Sequence, residues 1–283
     1  DFEVTIPYAG LDTAFCAVYR HKGGRAAGGR AVGFLGEYDA LRGQGHGCAH
    51  HMQTPAMIGA AMALRGVLES SDQPFEIHVI GTPSEESLDG GKNEMAAHGG
   101  FDHIDVAFMV HGSTLTQLET PSLALIEMDV EFHGKTAHAG IAPYAGRSAV
   151  DAVTMLQTGL GLMRNHLKDS SRVSNIVLAG GTAVNSVPDF AKVKVEIRHS
   201  SMAYLESVEQ WTREIAQAAA MATQTQVQIT PVAHIYNTTI NDAMGALLME
   251  CAEKFACDGI APPRKDCGST DFGAVTHRLP SCC

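Results

Sequence analysis

At 283 residues the chain can bury a large core, and its 45% apolar content is that of an ordinary globular protein. A net charge of −11 argues against nucleic acid as a partner. No apolar run approaches the ~18–20 residues of a membrane span, and seven scattered cysteines, an odd number, fit reduced thiols in a cytoplasmic protein better than a disulfide framework.

The chain opens on Asp1 rather than Met, and Phe2-Glu3-Val4 already reads as ordered sequence, so a piece of a longer protein is expected. Ala31–Leu35 is a short apolar run feeding Gly36-Glu37-Tyr38-Asp39, the pattern of a buried parallel strand running into a loop. Thr54 is placed to cap a helix with Pro55 in its first turn and Met57, Ala61, Leu64 and Leu68 on its apolar face. Phe75–Ile80 and Ile104–Val110 are further strands, the first ending at Gly81-Thr82-Pro83 and the second at His111. This βαβ rhythm predicts an α/β fold with a mostly parallel sheet and helices on both faces.

The pattern then changes. Ala124–Phe132 alternates cleanly, with Ile126, Met128, Val130 and Phe132 on one side and Glu127, Asp129 and Glu131 on the other, as in a sheet with one wet face. A helix follows from Ser148, then strands at Asn175–Leu178 and Ala191–Arg198. A second helix runs over Met202–Ala222 with Leu205, Val208, Trp211, Ile215 and Ala219 inward, and Gln226–Val232 is a last strand. The order β-α-β-β-α-β is that of a ferredoxin-like domain. Residues 122–234 are therefore expected as a domain inserted into a first one made of 1–121 and 235–283, with helix Asn241–Phe255 returning to it.

Ligands of open α/β sheets gather at the carboxyl ends of the strands. Four features fall there: Glu37 with Asp39, the run His46-Gly47-Cys48-Ala49-His50-His51, the pair Glu85-Glu86, and His111. A thiolate, imidazoles and carboxylates together suit a borderline-soft divalent ion, zinc first, with manganese or cobalt also compatible. Cys48, His50, one glutamate and His111 are candidate ligands for one or two ions. The other glutamate is a candidate base that deprotonates water and reprotonates a leaving amine. Asp39 is placed either to orient a ligand imidazole or to shape a turn.

The stretches Gly36-Glu-Tyr-Asp-Ala-Leu41, Gly45-His-Gly-Cys-Ala-His50, Gly81-Thr-Pro-Ser-Glu-Glu86, Asp105 to His111, Phe132 to Ala139, Gly146-Arg-Ser-Ala149 and Ser269-Thr-Asp271 span nearly the whole chain. In them the sequence resembles the M20 metallopeptidase family. The likeness is to its amidohydrolase-like branch, which holds aminobenzoyl-glutamate hydrolases and the dipeptidases called peptidase M20 domain-containing protein 2. The resemblance implies Cys48, His50, Glu86 and His111 as metal ligands and Glu85 as the catalytic base. It implies that His138 reaches the substrate carbonyl as an oxyanion donor, often across a dimer interface, and that Asn185 and Arg198 grip a substrate carboxylate.

Some positions depart from the family pattern. Ala49 stands where the family has Gly, His51 where it has Asn or Asp, and Arg42 where it has Pro. The family's final histidine ligand lies beyond the Ser-Thr-Asp segment, and here only His277 follows it. The expectation is a metal-dependent amidohydrolase or dipeptidase that cleaves the amide of a dipeptide or N-acyl amino acid with a free carboxylate. It would pair into a homodimer through the inserted lid domain, with no nucleic acid or membrane as partner. The alternative expectation is a catalytically impaired paralogue that binds a small acid or a partner. A cysteine hydrolase built on Cys48 and His50 is disfavoured, because it leaves the glutamate pair without a purpose.

Overall fold

The computed structural model describes residues 2–87, 90–118, 121–256, 259–262 and 268–283. Cys257 and Cys267, two of the thiols counted above, lie outside them; among the described cysteines none is in a disulfide. The chain is mixed α/β and divides into two compact units, Asp1–Ser122 with Ile235–Cys283, and Leu123–His234.

The first unit opens with β1 (Glu3–Thr5), β2 (Phe15–His21) and β3 (Arg30–Glu37), then α1 (His50–Leu68), β4 (Phe75–Thr82), α2 (Gly91–Ala97), β5 (Val106–Phe108) and β6 (Thr116–Gln117). The second contributes β7 (Ala124–His133), α3 (Ala149–Met163), β8 (Arg172–Ala179), β9 (Phe190–His199), α4 (Met202–Thr223) and β10 (Gln226–Ile235). The chain closes with α5 (Asp242–Phe255), β11 (Ile260–Ala261), α6 (Gly273–Thr276) and β12 (Ser281–Cys282).

The main sheet of the first unit has the order β1-β2-β4-β3-β5-β12. Its centre is parallel, β4 with β3, β3 with β5 and β5 with β12, as the βαβ rhythm predicts. One side is antiparallel, because β2 pairs with β4 and β1 with β2. That hairpin was not legible in the sequence: β2 buries residues without a clean period-two pattern. One face of the sheet packs Phe34, Ile77 and Val79 against Met57 and Ala61 of α1. The other packs Leu35 and Ile80 against Met95 of α2 and Val275 of α6.

Helix α1 corrects one expectation. It starts at His50, four residues before the expected cap, and Pro55 lies inside it. The Thr54 hydroxyl is spent elsewhere, donating to the Glu37 carbonyl at 2.8 Å. This bond and the lack of a side chain at Gly36, where a Cβ would lie 2.8 Å from the Thr54 Cα, let the start of α1 sit directly on the end of β3. His50 is thereby placed beside Glu37. The third strand is also shorter than expected: β5 covers only Val106–Phe108, and the chain reaches His111 without regular pairing.

In the second unit the four-stranded sheet has the order β10-β7-β9-β8, with β7 and β8 both antiparallel to β9. The alternation read from the sequence separates its two faces. Ile126, Met128, Val130, Phe132, Val193, Val195 and Ile197 are buried with Leu156, Leu160, Leu205 and Val208 of the two helices. The opposite face pairs charges across the strands: Lys192 lies 2.7 Å from Asp129 and 2.9 Å from Glu131, and Lys194 2.6 Å from Glu127. On α4 the inward stripe is Leu205, Val208, Thr212, Ala216 and Ala219. Trp211 is exposed instead, because the 3.6-residue turn carries Thr212 under the sheet, where its hydroxyl bonds the Val208 carbonyl.

Candidate metal centre

Parallel strands β4, β3 and β5 end side by side, so residues far apart in the chain meet at one edge of the sheet. Strand β3 delivers Glu37 and, two residues on, Asp39. Strand β4 runs into Ser84-Glu85-Glu86, and β5 leads to His111. The loop before α1 brings Cys48, and the first residue of α1 brings His50. Ligand atoms of Cys48, His50 and Glu86 lie within 4.8 Å of one another, as do those of Glu37, His50 and His111, and those of Glu37, Glu85 and Asp271.

His50 is the hub. Its ring is almost fully buried, with Nδ1 3.1 Å from Asp39 Oδ1 and Nε2 3.2 Å from Glu37 Oε2. Glu85 and Glu86 each place a carboxylate oxygen 3.9 Å from Nε2. Asp39 accepts the Nδ1 proton of His50 and, on its other oxygen, the Glu86 N–H at 2.8 Å. Burial pushes the Asp39 carboxyl up, but these two bonds outweigh it and hold the group below its usual range. Asp39 therefore orients the ring and leaves Nε2 as the lone pair facing the acids. His111 Nδ1 donates to the Gly112 carbonyl at 2.9 Å, which leaves its Nε2 as an acceptor too.

The residues fit a cation. His50 Nε2, Glu37 Oε2 and Glu86 Oε1 are buried without a hydrogen-bond partner. All three are electron-pair donors at short mutual distance, an arrangement that repels itself unless positive charge is placed among them. In the ion-free chain protons supply part of that charge. Burial lowers the pKa of the His50 ring, yet Asp39, Glu37 and Glu85 outweigh it and raise it. The Cys48 thiol is pushed up to about 11, chiefly by its hydrogen bond to Glu86, then by burial and the nearby carboxylates. Only a bound cation turns that thiol into a thiolate ligand at neutral pH. Burial first, then the Glu37 and Asp271 charges, raise Glu85 to about 7 against the opposing pull of Lys92.

Lys92 escaped the sequence reading. Its ammonium is fully buried and bridges Glu37 Oε1 at 2.6 Å and Asp271 Oδ1 at 2.5 Å, while its backbone N–H donates to Asp271 Oδ2 at 2.9 Å. Burial alone would neutralise it; the two carboxylates keep it charged. A lysine in the run Gly90-Gly91-Lys92 carries no visible partner in sequence, so only the fold identifies it. The two loops that carry the chemistry are strained at one residue each. Ala49 has φ +59° between Cys48 and His50, and Ser84 has φ +66° just before Glu85. A left-handed residue other than glycine costs about 1–2 kcal/mol, so a glycine at position 49 would relax this loop.

The other expected site residues belong to the second unit. His138 pairs with Ser186 in a β-bridge, and the Ala139 N–H donates to the Asn185 carbonyl at 2.9 Å, so His138 and Asn185 are brought together. His138 Nδ1 accepts the Gly140 N–H at 3.2 Å, so the proton that this exposed ring can donate is on Nε2. Arg198 grips Glu196 with both arms of its fork, at 2.7 and 2.9 Å. His277 joins none of the ligand groups found among the described residues; its Nε2 donates to the Asn237 carbonyl at 2.8 Å.

Removing the buried ammonium leaves two carboxylates facing each other out of water. Lys92→Met is expected to lower stability by about 3–5 kcal/mol in urea unfolding. Adding Glu37→Gln and Asp271→Asn to it should restore part of that loss; no recovery would mean that the ammonium acts through packing alone.

Comparison with known proteins agrees with this architecture. The family model for peptidase family M20/M25/M40 matches residues 33–283. The chain is 35% identical over 282 residues to the mouse (Mus musculus) Xaa-Arg dipeptidase, covering 97% of this chain and 65% of that protein. It is 31% identical over 266 residues to a p-aminobenzoyl-glutamate hydrolase chain of Escherichia coli K12, covering 86% of this chain and 54% of that protein. It thus spans about two thirds or less of the length of these relatives. Among solved structures, the aminobenzoyl-glutamate utilization protein of Klebsiella pneumoniae superposes with a TM-score of 0.74 at 24% identity, over 96% of this chain and 69% of that one. A dinuclear metal-binding M20 peptidase of Bacillus subtilis superposes with a TM-score of 0.72 at 18% identity, over 99% and 77%. The chain belongs to peptidase family M20/M25/M40.

Proposed function

We propose that the chain is the metal-dependent hydrolytic part of an amidohydrolase or dipeptidase, cleaving the amide of a dipeptide or N-acyl amino acid that carries a free carboxylate. The observation that carries this reading is the convergence of Cys48, His50, Glu85, Glu86 and His111 on one edge of the sheet, with unpartnered buried donor atoms facing one another. Cys48, His50, Glu86 and His111 would hold the ion, Glu37 lies close enough to join them, and zinc suits a set with one thiolate and imidazoles, with manganese or cobalt compatible. When bound, such an ion polarises the amide carbonyl and makes water a better nucleophile. Glu85 does the proton work: its oxygen takes a proton from the attacking water and returns it to the departing amine nitrogen. A carboxylate beside the ion suits both transfers, because the ion itself would lower the pKa of the water it holds.

In this reading the second unit is a ferredoxin-like lid. His138 supplies an Nε2–H for the developing oxyanion. Asn185 and Arg198 hold the substrate carboxylate, which would replace Glu196 on the guanidinium fork. Relatives named as Xaa-Arg dipeptidase and p-aminobenzoyl-glutamate hydrolase set the first substrates to try, dipeptides ending in arginine and p-aminobenzoyl-glutamate. The lid also pairs two copies. Its edge strand β8 exposes Ile176, Val177 and Leu178, and the neighbouring α3 exposes Met155 and Leu162, an apolar border of the kind that edge strands hide by pairing. Among the described residues no helix is long and apolar enough to cross a membrane, and described cysteines that form no disulfide suit the reducing cytoplasm.

Glu85→Gln is expected to abolish hydrolysis of these substrates while leaving metal content unchanged by elemental analysis; retained turnover would remove Glu85 as the base. The same variant tests its proton affinity. A carboxyl raised from 4.5 to about 7 in the folded chain favours folding fully below pH 4.5 and loses that contribution as the pH rises through about 7. The chelated wild type should therefore lose melting temperature relative to Glu85→Gln across this window.

Val177→Glu is expected to convert a dimer to monomer in light scattering coupled to size exclusion. An unchanged mass would exclude β8 from the interface.

A further inference from the structure

The sheet face covered by α2 and α6 holds a polar cluster inside an apolar core. Cys16 on β2 and His78 on β4 are 3% and 2% exposed. They share this face because Cys16 is paired with Ile80 and Val18 with His78 in the antiparallel register. His103, half-buried, comes from the segment between α2 and β5. One donor atom from each of the three lies within 4.8 Å of the others. Cys16 Sγ is 3.8 Å from His78 Nδ1, and the two imidazole centroids are 4.6 Å apart. None of these residues takes part in the centre at the strand ends.

The groups around this triad are arranged as they are around metal-binding histidines. His78 Nε2 donates to Glu76 Oε2 at 2.9 Å, so its Nδ1 presents a lone pair toward Cys16. Glu76 is itself fixed, accepting the Arg25 N–H at 2.9 Å, with Arg20 3.6 Å away. Burial raises its carboxyl, but these partners outweigh it and keep it ionised. A carboxylate that pins the far nitrogen of an imidazole, sets its tautomer and raises its basicity is the usual companion of a ligand histidine. The Tyr8 hydroxyl gives its proton to the Gly100 carbonyl at 2.6 Å and keeps its oxygen 3.4 Å from His103 Nε2. A tetrahedral zinc with S and N ligands has an S···N edge of about 3.6 Å, close to the 3.8 Å between Cys16 and His78.

We propose that Cys16, His78 and His103 form a second, structural zinc site, with the fourth position taken by the Tyr8 oxygen or by water. Loading breaks the Cys16 S–H bond as the S–Zn bond forms and releases one proton to solvent, with no change of oxidation state. The half-buried edge of His103 is the way in. The ion would staple β2, β4 and the segment before β5, three pieces of the core far apart in sequence.

The test separates this site from the centre at the strand ends by removing that centre's thiolate. The Cys48→Ser chain, stripped with chelator and titrated with Co²⁺, is expected to show a thiolate-to-cobalt charge-transfer band that saturates at one ion per chain. Cys48→Ser with Cys16→Ser should lose the band. In zinc-loaded protein, Cys16→Ser should carry one equivalent less zinc by elemental analysis than its parent. Absence of the band in Cys48→Ser, or an unchanged zinc count in folded Cys16→Ser, overturns the proposal. The first of these needs no change in the core, so misfolding of the Cys16 variant does not blunt it.

Discussion

The buried ammonium of Lys92 is the constraint on which the strand-end centre depends. A lysine without solvent is tolerable only between anions, and here they come from two distant parts of the chain, Glu37 at the end of β3 and Asp271 just before α6. The ion pair therefore does two jobs. It fixes the C-terminal segment against the sheet, and it holds one oxygen of Glu37 so that the other faces His50. It also tempers the field: Lys92 pulls against the burial and negative charge that raise Glu85, leaving that carboxyl near neutrality rather than permanently protonated.

Much of this was legible in the sequence, and the reasons are physical. Parallel strands end together, so acids and imidazoles placed just after apolar runs had to meet; Glu37, Asp39, Cys48, His50, Glu85, Glu86 and His111 carry that signal. The clean alternation of β7 and β9 gave the two faces of the second unit. What escaped were groups defined by partners across the fold. Lys92 reads as an ordinary helix-start lysine until Asp271 arrives from 179 residues away. Cys16 and His78 sit on strands of mixed pattern, where a thiol and an imidazole look like filler. The start of α1 was misplaced because Thr54 and Pro55 form a plausible cap, whereas packing of Gly36 against Thr54 made the helix begin earlier.

The wet face of the second unit shows how charge is arranged where water remains. Glu127 stands directly opposite Glu196 across β7 and β9, a like-charge pair that is unfavourable by itself. Lys194 takes Glu127 and Arg198 takes Glu196, so the repulsion is resolved by diagonal partners. The Arg198–Glu196 pair is held by two bonds rather than one, so it fixes the guanidinium more firmly than a single-bond surface pair would.

The crowding around His50 Nε2 has a further consequence for how the chain meets its ion. Without metal, the excess negative charge there is balanced by hydrogen ions: on the Cys48 thiol, on the His50 ring whose affinity is raised, and in part on Glu85. A divalent ion and these protons compete for the same few lone pairs. Uptake of metal is then an acid-releasing reaction, and its apparent affinity climbs steeply with pH. The cluster that gathers the ion is thus also a store of protons, and each ion taken up sends some of them to solvent.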